Sequence, residues 1–153
     1  MITELTRMWL TRSTKPFLFK NEYDQELPFS DCDGLGLYVH IPFCRSICSF
    51  CPYCKTLYTE EACSRYIDAL IREIHLAGIQ APGKKTVTSL YFGGGTPALA
   101  ADRIKEIIDA IQDHFIITQG IGIELHPENV TPRTLHVLKE AGVTKLSIGI
   151  QSF

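Results

Sequence analysis

The sequence predicts an α/β fold in which about four parallel strands form part of a (β/α) barrel. Short apolar runs alternate with segments of amphipathic helical spacing from residue 36 onward, and each apolar run has one aliphatic face and one small or polar face. Every chemically unusual stretch lies at or just past the C-terminal end of such a run. Strands joined by helical segments of these lengths run parallel, through right-handed crossovers. An ordinary closed barrel packs its interior with branched aliphatics, so a small, polar inner face points to a cavity that holds a polar cofactor.

At 153 residues, 45% hydrophobic and net charge −2, the chain has the size and composition of one globular domain. Charges of both signs are interspersed, which predicts neither a nucleic-acid footprint nor a membrane-surface helix. Met1 to Leu10, with Glu4 and Arg7, lacks the apolar core of a signal peptide, and no run reaches transmembrane length. The expected compartment is the cytoplasm, where thiols stay reduced. Within residues 1–35, Leu5, Met8 and Trp9 suggest a short amphipathic turn, and breakers follow from Lys15-Pro16 through Pro28 to Gly36. These residues are expected to form an N-terminal extension lying on the domain of residues 36–153.

The first strand is expected at Leu37–Ile41, ending at Pro42 before the cysteines. Glu60–Ala77 reads as a helix because Ala62, Tyr66, Leu70, Ile74 and Ala77 recur at helical spacing, with Thr59 as N-cap and Gly78 as stop. Val87–Phe92 reads as the second strand, followed by Gly93-Gly94-Gly95-Thr96-Pro97 and a second helix marked by Ile104, Ile107, Ile108 and Ile111. Ile121–Leu125 is the third strand, leading into His126-Pro127-Glu128. Thr131-Pro132 opens the third helix as N-cap and first-turn proline, Leu135 and Leu138 face inward, and Gly142 ends it. Lys145–Ile150 is the fourth strand. Alternation puts Tyr38, His40, Ser89, Tyr91, Gly93, Gly122, Glu124, His126, Ser147, Gly149 and Gln151 on the inner face, opposite the aliphatic residues.

The chemistry concentrates in Cys44, Cys48 and Cys51, spaced C-x3-C-x2-C just after the first strand. Three thiolates on one short loop suit an iron–sulfur cluster, leaving one iron of a [4Fe–4S] unit without a protein ligand and open to a small molecule. A zinc knot calls for paired C-x2-C units in two places, whereas the steps Cys48 to Cys51 and Cys51 to Cys54 share a residue. Disulfides are disfavoured without a secretory segment. Cys51-Pro-Tyr-Cys54 matches the active-site tetrapeptide of glutaredoxins, in which the first thiol is activated at a helix N-terminus. Such a redox domain has no use for Cys44 and Cys48, and no Val-Pro pair follows downstream. Gly93-Gly94-Gly95 lacks the Lys-Ser/Thr of a phosphate loop; alone it reads as a turn, and beside the cysteines as a backbone that can come close to a ligand. Glu124 alone reads as a solvated carboxylate, and its inward face favours hydrogen bonding to a cofactor's ribose or amine. His40 and His126 read as satisfied structural histidines, Tyr66 as core, and Cys54 as a small buried apolar side chain rather than a ligand.

Tyr-x-His-Ile-Pro-Phe-Cys, Gly-Gly-Gly-Thr-Pro and Ser-x-Gly-x-Gln-Ser-Phe together resemble the radical S-adenosylmethionine (SAM) superfamily, from about Tyr38 to Phe153. More narrowly, they resemble the group of oxygen-independent coproporphyrinogen III oxidase, its haem-chaperone relatives and related radical SAM methyltransferases. The resemblance implies that Cys44, Cys48 and Cys51 ligate the [4Fe–4S] cluster and that Tyr38 and Phe50 are the aromatics beside it. It implies that Gly94, Gly95, Thr96 and Glu124 contact SAM, and that Gln151 lies near a second SAM. The implied chemistry is reductive cleavage of SAM to a 5′-deoxyadenosyl radical that takes a hydrogen atom from a porphyrinogen or related tetrapyrrole. An electron donor such as flavodoxin or ferredoxin is implied, because this chemistry needs the low end of cluster potentials that span roughly −700 to +450 mV.

The chain departs from the porphyrinogen oxidase pattern after the third ligand. That family has glycine and then a fourth cysteine, whereas Pro52-Tyr53 here precede Cys54, which leaves the substrate open. Relatives continue through further barrel units, so residues 36–153 are expected to be the N-terminal part of a radical SAM core domain with its C-terminal half absent. An uncovered last strand is then expected to make the isolated chain prone to self-association. A haem chaperone on the same scaffold, a radical SAM methyltransferase and, more distantly, a glutaredoxin-like thiol reductase are the alternative functions.

Overall fold

The computed structural model describes residues 27, 29, 32–81 and 83–150. In chain order the elements are strands β1 (Gly34–Ile41), β2 (Phe43–Cys44) and β3 (Thr56–Leu57), helix α1 (Glu60–Ile79), strand β4 (Lys85–Gly94), and helix α2 (Ile104–His114), which follows a 3-10 segment at Pro97–Arg103. Then come β5 (Phe115–Ile117), β6 (Ile121–Leu125), a 3-10 turn at Pro127–Asn129, helix α3 (Pro132–Glu140) and β7 (Val143–Ile148). The main sheet runs in the order β1-β4-β6-β7, and every pair in it is parallel. That is the partial (β/α) arrangement expected, with four full strands and helical crossovers.

Strand β5 was not expected. It pairs with the start of β4 (Lys85↔Phe115 to Val87↔Ile117), and β6 takes over the same edge at Leu90↔Ile121. The two pieces are one interrupted strand. Thr118 marks the break, donating through both its N–H and its hydroxyl to the Val87 carbonyl at 3.0 and 3.2 Å.

The aliphatic face packs against the helices as the alternation requires. Val39, Ile41, Leu90, Phe92 and Ile123 join Ile67 of α1, Ile104, Ile107 and Ile111 of α2, and Leu138 of α3 in one buried cluster. Each of these large side chains contributes about 1.5–3 kcal/mol by leaving water. Val87 is also fully buried although it lies three residues before Leu90. A bulge explains this: Leu35 pairs with Val87 but Gly36 pairs with Ser89, so Thr88 is extra and the side-chain alternation resets. Thr144 is the equivalent extra residue between Val143 and Lys145 in the β6–β7 pair. For that reason β7 starts two residues before the expected Lys145. At β7 the covering runs out, and Leu146 and Ile148 remain 46% and 43% exposed among the described residues.

The helix ends divide into three agreements and one correction. Thr59 caps α1 by accepting from Ala62 N at 3.2 Å, and Thr131 caps α3 by accepting from Thr134 N at 3.1 Å. Gly142 follows α3 with φ +96°, the left-handed conformation that ends a helix. Gly78, however, does not stop α1, which continues through Ile79. A Cβ at Gly78 would lie 2.2 Å from Cγ of His114, so this glycine permits close packing of α1 on α2. His75 and His114 meet across that contact, Nδ1 to Nε2, at 2.9 Å. Arg103 donates to Glu106 of α2 and to Asp68 of α1, and these bonds push its pKa further above its ordinary value.

Of the N-terminal extension, residues 1–26 lie outside the described residues. Phe29 is buried against Phe115, with ring centroids 6.0 Å apart.

Candidate functional site

Pro42 ends β1 because it offers no N–H to the ladder, and the chain turns into β2. Phe43 is buried beneath it, its ring edge-on to Tyr58 and Tyr66 at 6.2 and 5.5 Å. Strand β3 returns beside β2: Thr56 N donates to Pro42 O at 2.8 Å and Tyr58 N to Cys44 O at 2.9 Å. These two bonds close residues 45–55 into a loop that carries Cys48 and Cys51.

The glycine stretch leaves β4 directly opposite. Gly95 N donates to Ile41 O at 2.9 Å and Thr96 N to Phe43 O at 2.7 Å. Gly94 has φ +120°, and a Cβ on Gly95 would lie 2.6 Å from Phe43 O. The close approach visible at Gly95 is therefore to the backbone of Pro42 and Phe43, and that at Gly94 to the His40 ring and the Ile41 carbonyl. It brings the Thr96 hydroxyl to 3.9 Å from Cys44 Sγ.

Glu124 rises from β6 on the inner face and is half-buried. Its Oε1 accepts from Tyr91 OH and its Oε2 from Gly94 N, both at 3.3 Å. Each carboxylate oxygen keeps acceptor capacity for a ligand.

A cavity of about 310 Å3 lies between these parts. Its wall includes Cys44, Cys48, Cys51 and Phe50 on one side, Gly94, Gly95 and Thr96 on the second, and Glu124 on the third. Such a volume falls within the roughly 300–1,000 Å3 of small-molecule sites. Tyr38 is beside this wall rather than on it: 59% exposed, it stacks on Tyr91 with centroids 6.5 Å apart, and its hydroxyl meets His40 Nδ1 at 3.2 Å. Partial burial, then the neighbouring Glu124 carboxylate, hold its phenol above the usual pKa. Gln151 lies outside the described residues.

The sequence left several wall residues unassigned. Arg45, Lys55, Glu128 and Asn129 line the cavity, as do Ser147 and Gly149 at the end of β7. Ser147 and Gly149 were legible as inner-face positions, whereas Arg45 and Lys55 had no signal. His40 has a partner at each ring nitrogen, as a satisfied structural histidine does, whereas His126 accepts at Nδ1 from Glu128 N at 3.3 Å, caps the turn after β6 and also lines the cavity. Cys54 is exposed, contrary to the buried side chain expected, because the turn that carries it lies on the surface; it does not line the cavity. Cys63 is the buried thiol, and burial pushes its pKa up.

Cys44, Cys48, Cys51 and Cys54 carry free thiols. Among the described residues, no three His, Cys, Asp or Glu side chains converge to hold a single metal ion. Separate cysteine corners around one cavity fit a multi-iron cluster, which takes one thiolate per iron. The glutaredoxin arrangement is missing, since Cys51 lies in a loop that passes into β3 and no helix begins between Cys51 and Glu60. No helix of the described residues is long and apolar enough to cross a membrane.

Comparison with known proteins gives a matching result. Residues 38–153 match the Radical SAM superfamily. The chain is 37% identical over 121 residues to anaerobilin synthase of Escherichia coli O157:H7, covering 76% of this chain and 27% of that protein. It is 34% identical over 125 residues to oxygen-independent coproporphyrinogen III oxidase of Pseudomonas aeruginosa, covering 78% and 27%. It is 32% identical over 120 residues to the haem chaperone HemW of Bacillus subtilis, covering 76% and 31%. Among solved structures, coproporphyrinogen III oxidase (HemN) from Escherichia coli superposes with a TM-score of 0.70 at 33% identity, over 77% of this chain and 28% of that one. The chain thus spans between a quarter and a third of the length of these relatives.

Proposed function

The chain belongs to the radical SAM superfamily, and on that premise we propose that residues 36–153 are the N-terminal part of an enzyme core that holds a [4Fe–4S] cluster and SAM. One observation carries this reading: three cysteines, a glycine stretch and a carboxylate, from three different strand ends, line one cavity. When bound, the cluster supplies the electron that cleaves SAM to a 5′-deoxyadenosyl radical. Cys44, Cys48 and Cys51 are its ligands in this reading, leaving one iron for the methionyl amine and carboxylate of SAM. Gly94, Gly95 and Thr96 offer backbone hydrogen-bonding groups to SAM, and Glu124 accepts from its amine or a ribose hydroxyl. Phe50, on the cavity wall, and Tyr38, beside it, are the aromatics next to the cluster, and Gln151 serves a second SAM.

The substrate is proposed to be a porphyrinogen or related tetrapyrrole, supported by the kinship with oxygen-independent coproporphyrinogen III oxidase and anaerobilin synthase. A flavodoxin or ferredoxin supplies the electron, in the cytoplasm. The second reading, supported by similarity to HemW, is a haem chaperone that uses the same scaffold without turnover. Incubating the anaerobically reconstituted chain with SAM and dithionite separates the two. Release of 5′-deoxyadenosine is expected of the enzyme; a bound cluster with no 5′-deoxyadenosine favours the chaperone.

A further inference from the structure

The turn Cys51-Pro52-Tyr53-Cys54 carries the third cysteine and belongs to no helix or strand. Pro52 has no N–H to close it. Among the described residues, no backbone N–H reaches the carbonyls of Cys51, Tyr53 or Cys54. The turn is largely exposed, with only Cys51 and Lys55 half-buried, and side chains rather than backbone supply the protein donors to its carbonyls. Lys55 Nζ donates to Cys51 O and, at 3.5 Å, to Tyr53 O. His40 Nε2 is 3.0 Å from Cys54 O, a contact that requires its N–H on Nε2 and leaves Nδ1 to accept from Tyr38 OH. The turn is thus held from the strand side by His40 and from the cavity side by Lys55, which is half-buried and lines the same cavity as Cys51.

We infer that Lys55 is the positioning residue for the third cluster corner. Its ammonium fixes the turn in the shape that keeps Cys51 on the cavity wall, and its charge offsets the negative thiolate there. This inference rests on the cluster reading above. Without that tether, two carbonyls lose their donor and the turn that presents Cys51 opens. Residues that orient metal ligands from behind typically change metal affinity by roughly 10–100-fold when removed. A nearby positive charge also favours the more negative, reduced cluster, so its loss lowers the reduction potential.

The test compares the wild-type chain with Lys55→Met, Lys55→Gln and Lys55→Arg after anaerobic loading with iron and sulfide. The readouts are iron loss to a chelator, the reduction potential and the thermal melt. Lys55→Met should lose iron about tenfold faster than wild type and show a more negative potential, with an unchanged melt. Lys55→Arg should restore both retention and potential. Lys55→Gln, a neutral donor, should recover part of the retention and keep the lowered potential. If wild type holds iron and Lys55→Met matches it in retention and potential, the role of Lys55 is overturned while the cluster reading stands. Equal loss from Lys55→Met and Lys55→Arg also overturns it. If wild type takes up no iron, the cluster reading falls and this inference falls with it.

Discussion

Two rims of the cavity invite comparison. Gly94–Thr96 is bonded backbone to backbone onto Ile41 and Phe43, at 2.9 and 2.7 Å, so it is a continuation of the sheet. Residues 45–55 are tied to the neighbouring backbone through Thr56 and Tyr58 at their ends, and in between by one local bond, Cys51 N to Cys48 O at 3.3 Å, and by the side chains of Lys55 and His40. The first rim is half-buried, whereas the second exposes Ile47, Phe50 and Tyr53 at 47%, 70% and 66%. One rim therefore shares the stability of the core, while the other opens at much smaller cost. Substitutions on the glycine rim should be felt as lost folding stability; those on the cysteine rim, as lost ligand at constant stability.

The largest effect is expected at Gly95. Its Cβ position lies 2.6 Å from Phe43 O and 2.8 Å from Pro42 O, backbone atoms that cannot rotate away. Gly95→Ala should cost about 2–3 kcal/mol in a denaturant titration. A cost below about 0.5 kcal/mol would mean that the two segments are not locked together. Glu124→Ala comes next, leaving Gly94 N and Tyr91 OH without their acceptor, for about 1–2 kcal/mol. Glu124→Gln, which keeps an acceptor, should recover most of that stability while still weakening SAM binding, measured by calorimetry on the loaded chain.

Thr59→Ala removes the α1 cap behind the cysteine rim and should cost about 1 kcal/mol. Smallest of all is Tyr53→Ser at the exposed tip of the cysteine rim, which should move the melt by less than about 0.5 kcal/mol. A larger loss there would place this rim within the cooperative core and erase the contrast.

The glycine rim was legible in the sequence and the fastening of the cysteine rim was not, for a physical reason. Parallel strands gather their C-terminal ends on one edge, so Cys44, Gly94 and Glu124 were bound to meet once the strands were recognised. Ile121–Leu125 came out with its bounds intact because alternation is a local signal. A two-residue pair such as β2–β3 is too short to show any period, and the bulge at Thr88 shifts the period itself. Gly78 was misread because a glycine near a helix end signals either a stop or a close approach, and only the position of His114 distinguishes them. The hydrogen bonds of Lys55 and His40 to loop carbonyls follow no spacing rule. Exposure of Cys54 likewise depends on how the turn lies on the surface.

The central claim is that Cys44, Cys48 and Cys51, and not Cys54, hold a cluster with one iron open to SAM. Electron paramagnetic resonance of the reduced, reconstituted chain, recorded with and without SAM, tests it directly when wild type is set beside Cys51→Ala and Cys54→Ala. Wild type and Cys54→Ala should both show a cluster signal that SAM alters, and Cys51→Ala should lose it. Retention of the signal by Cys51→Ala together with its loss from Cys54→Ala, or a wild-type signal indifferent to SAM, would contradict the claim.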